Sequence, residues 1–241
     1  MADPLLALDG VHTHLGRYHI LQGVDLRVPE GQVTMLLGRN GVGKSTTLRT
    51  IMGLWRASQG QVRFDGLAIT ARPTPDIARL GIAYVPEDMG IFGNLSVREN
   101  MVLAARSGEL DDGRLRWVFG LFPALQQFWL KTSGTLSGGQ KQMLAIARAI
   151  IEPRRLIVVD EPSKGLAPAI VDHLAEAFRE LKTARTTLLV VEQNLGLAKA
   201  IGDTVAVMAD GRVIHTGSMA DLAADERLQT RLLGLSLESH T

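Results

Sequence analysis

The chain has 241 residues, 26 Lys and Arg against 25 Asp and Glu, a formal net charge of +1 and no cysteine. That length holds one large domain or two small ones and buries a core without cross-links. Balanced charge argues against nucleic acid as a partner, since such proteins carry a basic excess, and the lack of thiols excludes disulfides, thiolate catalysis and thiolate metal sites.

The N-terminal stretch MADPLLALDGV has no basic segment leading into an apolar one, so no signal peptide is expected. No apolar run reaches the roughly 18 residues of a membrane span. Any membrane connection is therefore expected to run through a partner.

In chain order, Leu5–Leu15 reads as one extended stretch and Leu21–Val28 as another, with Val24, Leu26 and Val28 alternating on one face. Pro29-Glu30-Gly31 is a turn signal. The continuous apolar run Val33–Leu37 predicts a strand buried on both faces. A glycine-rich loop follows, then a helix from about Ser45 to Gly53. Gln61–Phe64 and Ile82–Val85 read as short strands. Between about Asp88 and Gly134 the pattern turns helical, and Gly108, Gly113, Gly120 and Pro123 break it into short pieces. A helix over Gly138–Ile151 precedes the apolar run Leu156–Asp160. A helix over Pro168–Thr183, a strand at Leu188–Glu192, a further helix, a strand at Thr204–Met208 and a hairpin at Asp210-Gly211 come next. One terminal amphipathic helix is expected to carry Leu222, Leu228, Leu232 and Leu233. Strands alternating with helices predict an α/β fold with a mostly parallel sheet, preceded by an antiparallel β subdomain. The expected organisation is one domain over 1–241, with a core of about 1–87 and 152–241 and a helical lobe inserted at about 88–151.

Three motifs carry chemistry. Gly38-Arg39-Asn40-Gly41-Val42-Gly43-Lys44-Ser45-Thr46 matches the phosphate-binding loop G-x-x-x-x-G-K-[ST], between a buried strand and a helix as that loop requires. Its glycines let backbone N–H groups face a phosphate, and the helix N-terminus adds its positive dipole end. Lys44 can reach the β- and γ-phosphates, and the Ser45 hydroxyl can ligate Mg²⁺. Second, the strand Leu156–Val159 ends in Asp160-Glu161. Alone, two acids at a strand tip read as a solvated cap. Beside a phosphate loop, Asp160 suits the metal and Glu161 the attacking water. Third, Ser137 can N-cap a helix whose first residues, Gly138-Gly139-Gln140, leave backbone N–H groups free. One domain needs a single anion site, so this second one makes sense if it closes on ATP held by another subunit.

The order of phosphate loop, Leu136-Ser137-Gly138-Gly139-Gln140 and apolar-Asp160-Glu161 resembles the ATP-binding-cassette family over almost the whole chain. The resemblance implies a P-loop NTPase of two lobes that uses ATP and Mg²⁺ and dimerises head-to-tail with a like or unlike subunit. ATP would lie between one subunit's Gly38 loop and the other's Ser137–Gln140, with Gly165-Leu166-Ala167-Pro168 in the subunit-contact loop. The family's lobe-connecting loop usually carries Gln where Tyr84-Val85-Pro86-Glu87 offers Glu87, here assigned to metal and catalysis. Its late switch position usually carries His where Val191-Glu192-Gln193-Asn194 offers Gln193, assigned to catalysis with Glu161 and Lys44. The adenine-stacking aromatic falls at Leu15, leaving Tyr18 as first substitute and His14 as second.

YVPED, EPSKGLAP and LLVVEQN together resemble the ATPases of branched-chain amino-acid importers, of the type carrying VEQN. That implies transmembrane permease partners, an external substrate-binding protein and residence on the cytoplasmic face of the bacterial inner membrane. Urea or amide importer ATPases are the alternative on this resemblance. A cassette acting on nucleic acid or the ribosome would bring long coiled-coil insertions or a second cassette. A P-loop small-molecule kinase leaves LSGGQ unexplained. His12 and His14 alternate on one strand and read as exposed histidines. Met89, Ile91, Phe92 and Leu95 fit either a groove for a permease helix or the packing of the lobe, and Lys141, Arg148, Arg154 and Arg155 read as solvated.

Overall fold

The computed structural model describes residues 3–234. Leu6–Leu15 (β1) pairs antiparallel with Tyr18–Val28 (β2) and with Ala57–Phe64 (β4), and β4 continues to the two-residue β5 (Leu67–Ala68), giving a four-stranded sheet in the order β2-β1-β4-β5. Val33–Leu37 (β3) belongs to a second sheet and leads through the glycine-rich loop into α1 (Lys44–Ile51). After α2 (Thr74–Arg79) and β6 (Ile82–Val85) come helices α3 (Val97–Ala104), α4 (Asp112–Leu121), α5 (Pro123–Gln127) and α6 (Gly138–Ile150). Then β7 (Leu156–Asp160), α7 (Pro168–Thr183), β8 (Thr187–Glu192), α8 (Leu195–Ile201), β9 (Thr204–Ala209), β10 (Arg212–Ser218), α9 (Met219–Ala224) and α10 (Glu226–Leu233) complete the described chain. The second sheet runs β10-β9-β3-β8-β7-β6; four of its five pairings are parallel, and the edge pair β9–β10 is an antiparallel hairpin.

The pleat sorts the strand residues into two cores. Met35, Ile157, Val159, Leu188 and Val190 face a cluster shared with α6, α7 and α8, while Leu36, Val158, Leu189 and Val191 face the cluster that joins the antiparallel sheet and α1. Val24, Leu26 and Val28 fill the second cluster as their alternation predicts. Helices α3–α6 have no separate core: Val97, Met101, Val118 and Leu125 lie in the same cluster as Leu144, Ile157 and Phe178.

Several expectations are corrected. The terminal helix is two, because Asp225 interrupts it at φ −112° and caps the second by accepting the Leu228 N–H at 2.9 Å. Strand β4 starts at Ala57 rather than Gln61, and of its added residues, 58–60 are exposed, so no apolar alternation marks them. Helix α2 buries Ile77 alone among its residues and shows no period to read. Arg148 is not solvated: it donates to the Gly90 carbonyl and stands over the Phe92 ring at 5.1 Å. Arg154 is largely buried and pairs with Glu152 at 3.1 Å, whereas Arg155 stays exposed as expected while binding Glu30 at 2.9 Å and also Asp65. Met89 and Ile91 pack on the core, whereas Phe92 is exposed.

Candidate functional site

The C-terminal ends of β3, β6, β7 and β8 meet at one edge of the parallel sheet, where ligands of open α/β sheets bind. Gly38 follows β3 at φ +151°; a Cβ there would lie 2.5 Å from the Met208 carbonyl oxygen, so the backbone turn admits only glycine. The loop delivers Lys44 to the start of α1, buried, with its Nζ donating to the carbonyls of Gly38 (2.8 Å) and Arg39 (3.0 Å).

Ser45 Oγ donates to Asp160 Oδ1 at 3.0 Å across from the tip of β7. The Tyr84 hydroxyl, from β6, reaches Asp160 Oδ2 at 3.5 Å. Asp160 is fully buried. Loss of hydration, with the nearby charges of Glu161 and Glu87 adding to it, raises its pKa to about 6 against the opposing Ser45 hydrogen bond. Burial, joined by the Asp160 charge, raises Tyr84 to about 12 and keeps the phenol a donor.

Glu161 takes a left-handed backbone at φ +46°, which non-glycine residues seldom adopt and which recurs at functional sites. The turn points its carboxylate back at the loop. Oε1 accepts from Gln193 Nε2 at 2.7 Å and lies 3.4 Å from Lys44 Nζ; Oε2 lies 3.7 Å from Lys164 Nζ. Gln193 Nε2 also donates to Asn40 Oδ1 at 2.6 Å. Behind it the buried Glu192 carboxylate accepts the N–H groups of Gln193 (3.0 Å), Asn194 (3.1 Å) and Ser163 (2.9 Å), which ties the loops after β7 and β8 together. Glu87, just past β6, is paired with Lys164 at 2.5 Å. These groups enclose a cavity of about 260 Å³ lined by Asn40, Lys44, Ser45, Glu87, Glu161 and Lys164 among others. A larger cavity, about 630 Å³, lies between α7 and α8 and includes no residue of the Gly38 loop.

The structure thus gathers Gly38–Thr46, Asp160, Glu161, Glu87 and Gln193 at one place. Ser137, Gly138, Gly139 and Gln140 lie outside this cavity. Ser137 caps α6 in a reciprocal box: its Oγ accepts the Gln140 N–H at 3.3 Å, and the Gln140 side chain accepts the Ser137 N–H at 2.9 Å. A Cβ on Gly139 would meet Ile170 at 2.9 Å, so this turn sits tight against α7. Tyr18 is 61% exposed with Arg17 over its ring; Ile20, two residues on along the same face of β2, lines the cavity instead. His14 stacks on His19 at 4.1 Å, and His12 Nδ1 meets His19 Nε2 at 2.9 Å, so the two alternating histidines join a third. Among the described residues no group of three or more His, Asp or Glu is placed to hold a metal by itself. Sequence reading missed Lys164; its signal was a lysine three residues after a candidate base, on a turn that returns it to the same face. Glu192 was missed too, being readable only as the end of an apolar strand.

The ABC transporter family model matches residues 21–164, which include the Gly38 loop, the Ser137 turn and the Asp160-Glu161 pair. The chain belongs to the ABC transporter family. ATPases of this family hydrolyse ATP to drive transport, and this cassette is one of them. It is 35% identical to the high-affinity branched-chain amino acid transport ATP-binding protein BraG of Pseudomonas aeruginosa, over 95% of this chain and 100% of that protein. It is also 35% identical to the probable branched-chain amino acid transport ATP-binding protein LivF of Archaeoglobus fulgidus, over 90% and 93%. Among solved structures, an ATP-binding subunit of an ABC transporter matches with a TM-score of 0.80 at 28% identity, covering 97% of this cassette and 96% of that chain. The P-loop NTPase fold expected from the sequence is the fold found. No helix among the described residues is long and apolar enough to cross a membrane.

Proposed function

We propose that this cassette is the ATP-hydrolysing subunit of an importer for branched-chain or related amino acids, attached through permease subunits to the cytoplasmic face of the bacterial inner membrane and fed by an external substrate-binding protein. The observation that carries the chemistry is the convergence of Lys44, Ser45, Asp160, Glu161 and Gln193 beside the glycine-rich loop and the N-terminus of α1. The likeness to BraG over nearly the full length of both chains supports the choice of solute.

The loop Gly38–Gly43 and the N-terminus of α1 hold the phosphates, and Lys44 exchanges its carbonyl partners for phosphate oxygens. The donors beside them fit Mg²⁺: the Ser45 hydroxyl and Asp160 carboxylate are hard oxygens 3.0 Å apart, and Glu87 lines the same cavity. When bound, Mg²⁺ would neutralise developing phosphate charge. It would also repay the buried Asp160 for its lost hydration. Glu161 orients or deprotonates the water that attacks the γ-phosphate, and Gln193 fixes which way its carboxylate faces. The Ser137–Gln140 turn lies outside the cavity, which supports its use on nucleotide held by a second cassette subunit.

Purification of the cassette with its permeases, followed by ATP-driven uptake into proteoliposomes, tests the reading. Uptake of labelled leucine is the expected result. Uptake of urea or an amide in its place would transfer the site chemistry to the alternative importer class. Failure to associate with any membrane protein would refute the transport role.

A further inference from the structure

The loop between β7 and α7 carries a lysine whose charge the hydrolytic scheme does not use. Lys164 Nζ sits 2.5 Å from Glu87 Oε1 and 3.7 Å from Glu161 Oε2, so one ammonium spans two carboxylates that come from the ends of different strands. Both carboxylates pull its pKa upward, the Glu87 hydrogen bond most, and the ammonium stays charged at any physiological pH. It also lines the cavity that holds Lys44 and Ser45. The remaining Glu161 oxygen is engaged by Gln193 and Lys44. One oxygen of the candidate base and one oxygen of Glu87 therefore accept from nitrogen donors, and the other Glu161 oxygen lies at ion-pair distance from Lys164.

A carboxylate cannot give the same lone pairs to an ammonium and to a divalent cation. We propose that Lys164 is a positioning residue that competes with Mg²⁺ for Glu87, latching Glu87 to Glu161 until the metal arrives, and that it thereby sets the Mg²⁺ concentration at which the nucleotide site loads. The inference rests on the proposed place of Glu87 at the metal. Loading and release of the latch are one event: as the Glu87 carboxylate turns to the metal, Lys164 leaves it, and Glu161 loses one of the partners that hold it. Because the pair is largely exposed, its competition is modest and screened by salt.

The test is a fluorescent-nucleotide titration of the whole cassette against Mg²⁺, without turnover, so that metal loading is read apart from activity. Lys164→Ala is expected to lower the half-saturating Mg²⁺ about two- to fivefold at low salt. Lys164→Arg keeps the charge and is expected to stay near wild type, and the gap between Lys164→Ala and wild type is expected to shrink at high salt. In a Glu87→Ala background, Lys164→Ala is expected to shift the Mg²⁺ curve little. A purely structural lysine would change thermal stability without moving the Mg²⁺ midpoint. An unchanged or raised midpoint in Lys164→Ala overturns the inference while leaving the site reading intact. Wild-type nucleotide binding that ignores Mg²⁺ overturns both.

Discussion

Replacing Asp160 with Asn separates the stability of the cassette from its use of metal. The buried carboxylate is held at a pKa of about 6 from an ordinary 3.8, chiefly by lost hydration. A rise of that size makes the ion about 3 kcal/mol less favourable in the fold than in the unfolded chain. The penalty is absent below 3.8, grows as pH rises through 6 and is complete above it. Asparagine keeps an acceptor for the Ser45 hydroxyl and removes the charge, so Asp160→Asn should be more stable than wild type by about 1–3 kcal/mol at pH 8 without nucleotide or metal. For a chain of this size that corresponds to a rise of roughly 3–10 °C in Tm. Thermal unfolding in EDTA at pH 8 and pH 5 measures it, and the gap should narrow at pH 5, where the wild-type carboxyl is largely protonated. With Mg²⁺ and ATP the order should reverse, because the variant gains little from the metal. A variant less stable than wild type at pH 8 in EDTA, or a gap that ignores pH, would refute the reasoning.

Glu161→Gln keeps shape and hydrogen bonding but not the base; steady-state phosphate release should fall by about 10² or more while nucleotide titration stays near wild type. Tyr18→Ala should leave ATP binding near wild type, since Ile20 and not Tyr18 lines the cavity; a loss of about 5- to 150-fold would restore Tyr18 as the ring that stacks on the base. Desolvation, with the neighbouring His14 and His12, lowers the pKa of His19 below 6.5. The fold therefore resists protonating it, and the stability it contributes is present above 6.5 and lost as pH falls. His19→Gln should accordingly flatten the acid side of the unfolding midpoint against pH, read by circular dichroism.

The parallel sheet was legible because its strands are buried on both faces: Val33–Leu37, Ile82–Val85 and Leu156–Asp160 are continuous apolar runs and appear at the residues expected. The site was legible because phosphate chemistry demands glycine, lysine and acids at fixed offsets. The split at Asp225 was not, since Leu222 and Leu233 keep helical spacing across it and only the cap geometry reveals the break. The contact of Arg148, which reads as solvated, was not legible for a related reason: its partner Gly90 is distant in sequence, and charge patterning along a chain sees only neighbours. Lys164 matters through Glu87, 77 residues away.

Lys44 already fills part of the space it would share with a ligand. Its Nζ spends two hydrogen bonds on carbonyls of its own loop and leans toward Glu161. A phosphate that enters must therefore displace internal partners before it gains a new one. Affinity at this loop is the difference between two sets of contacts to one ammonium, each strong alone. Small changes in the loop carbonyls, far too small to alter the fold, shift that difference directly. On the proposed role of the loop, the carbonyls of Gly38 and Arg39 thus share control of nucleotide affinity with the phosphate-facing N–H groups, because both sets of contacts draw on the same ammonium.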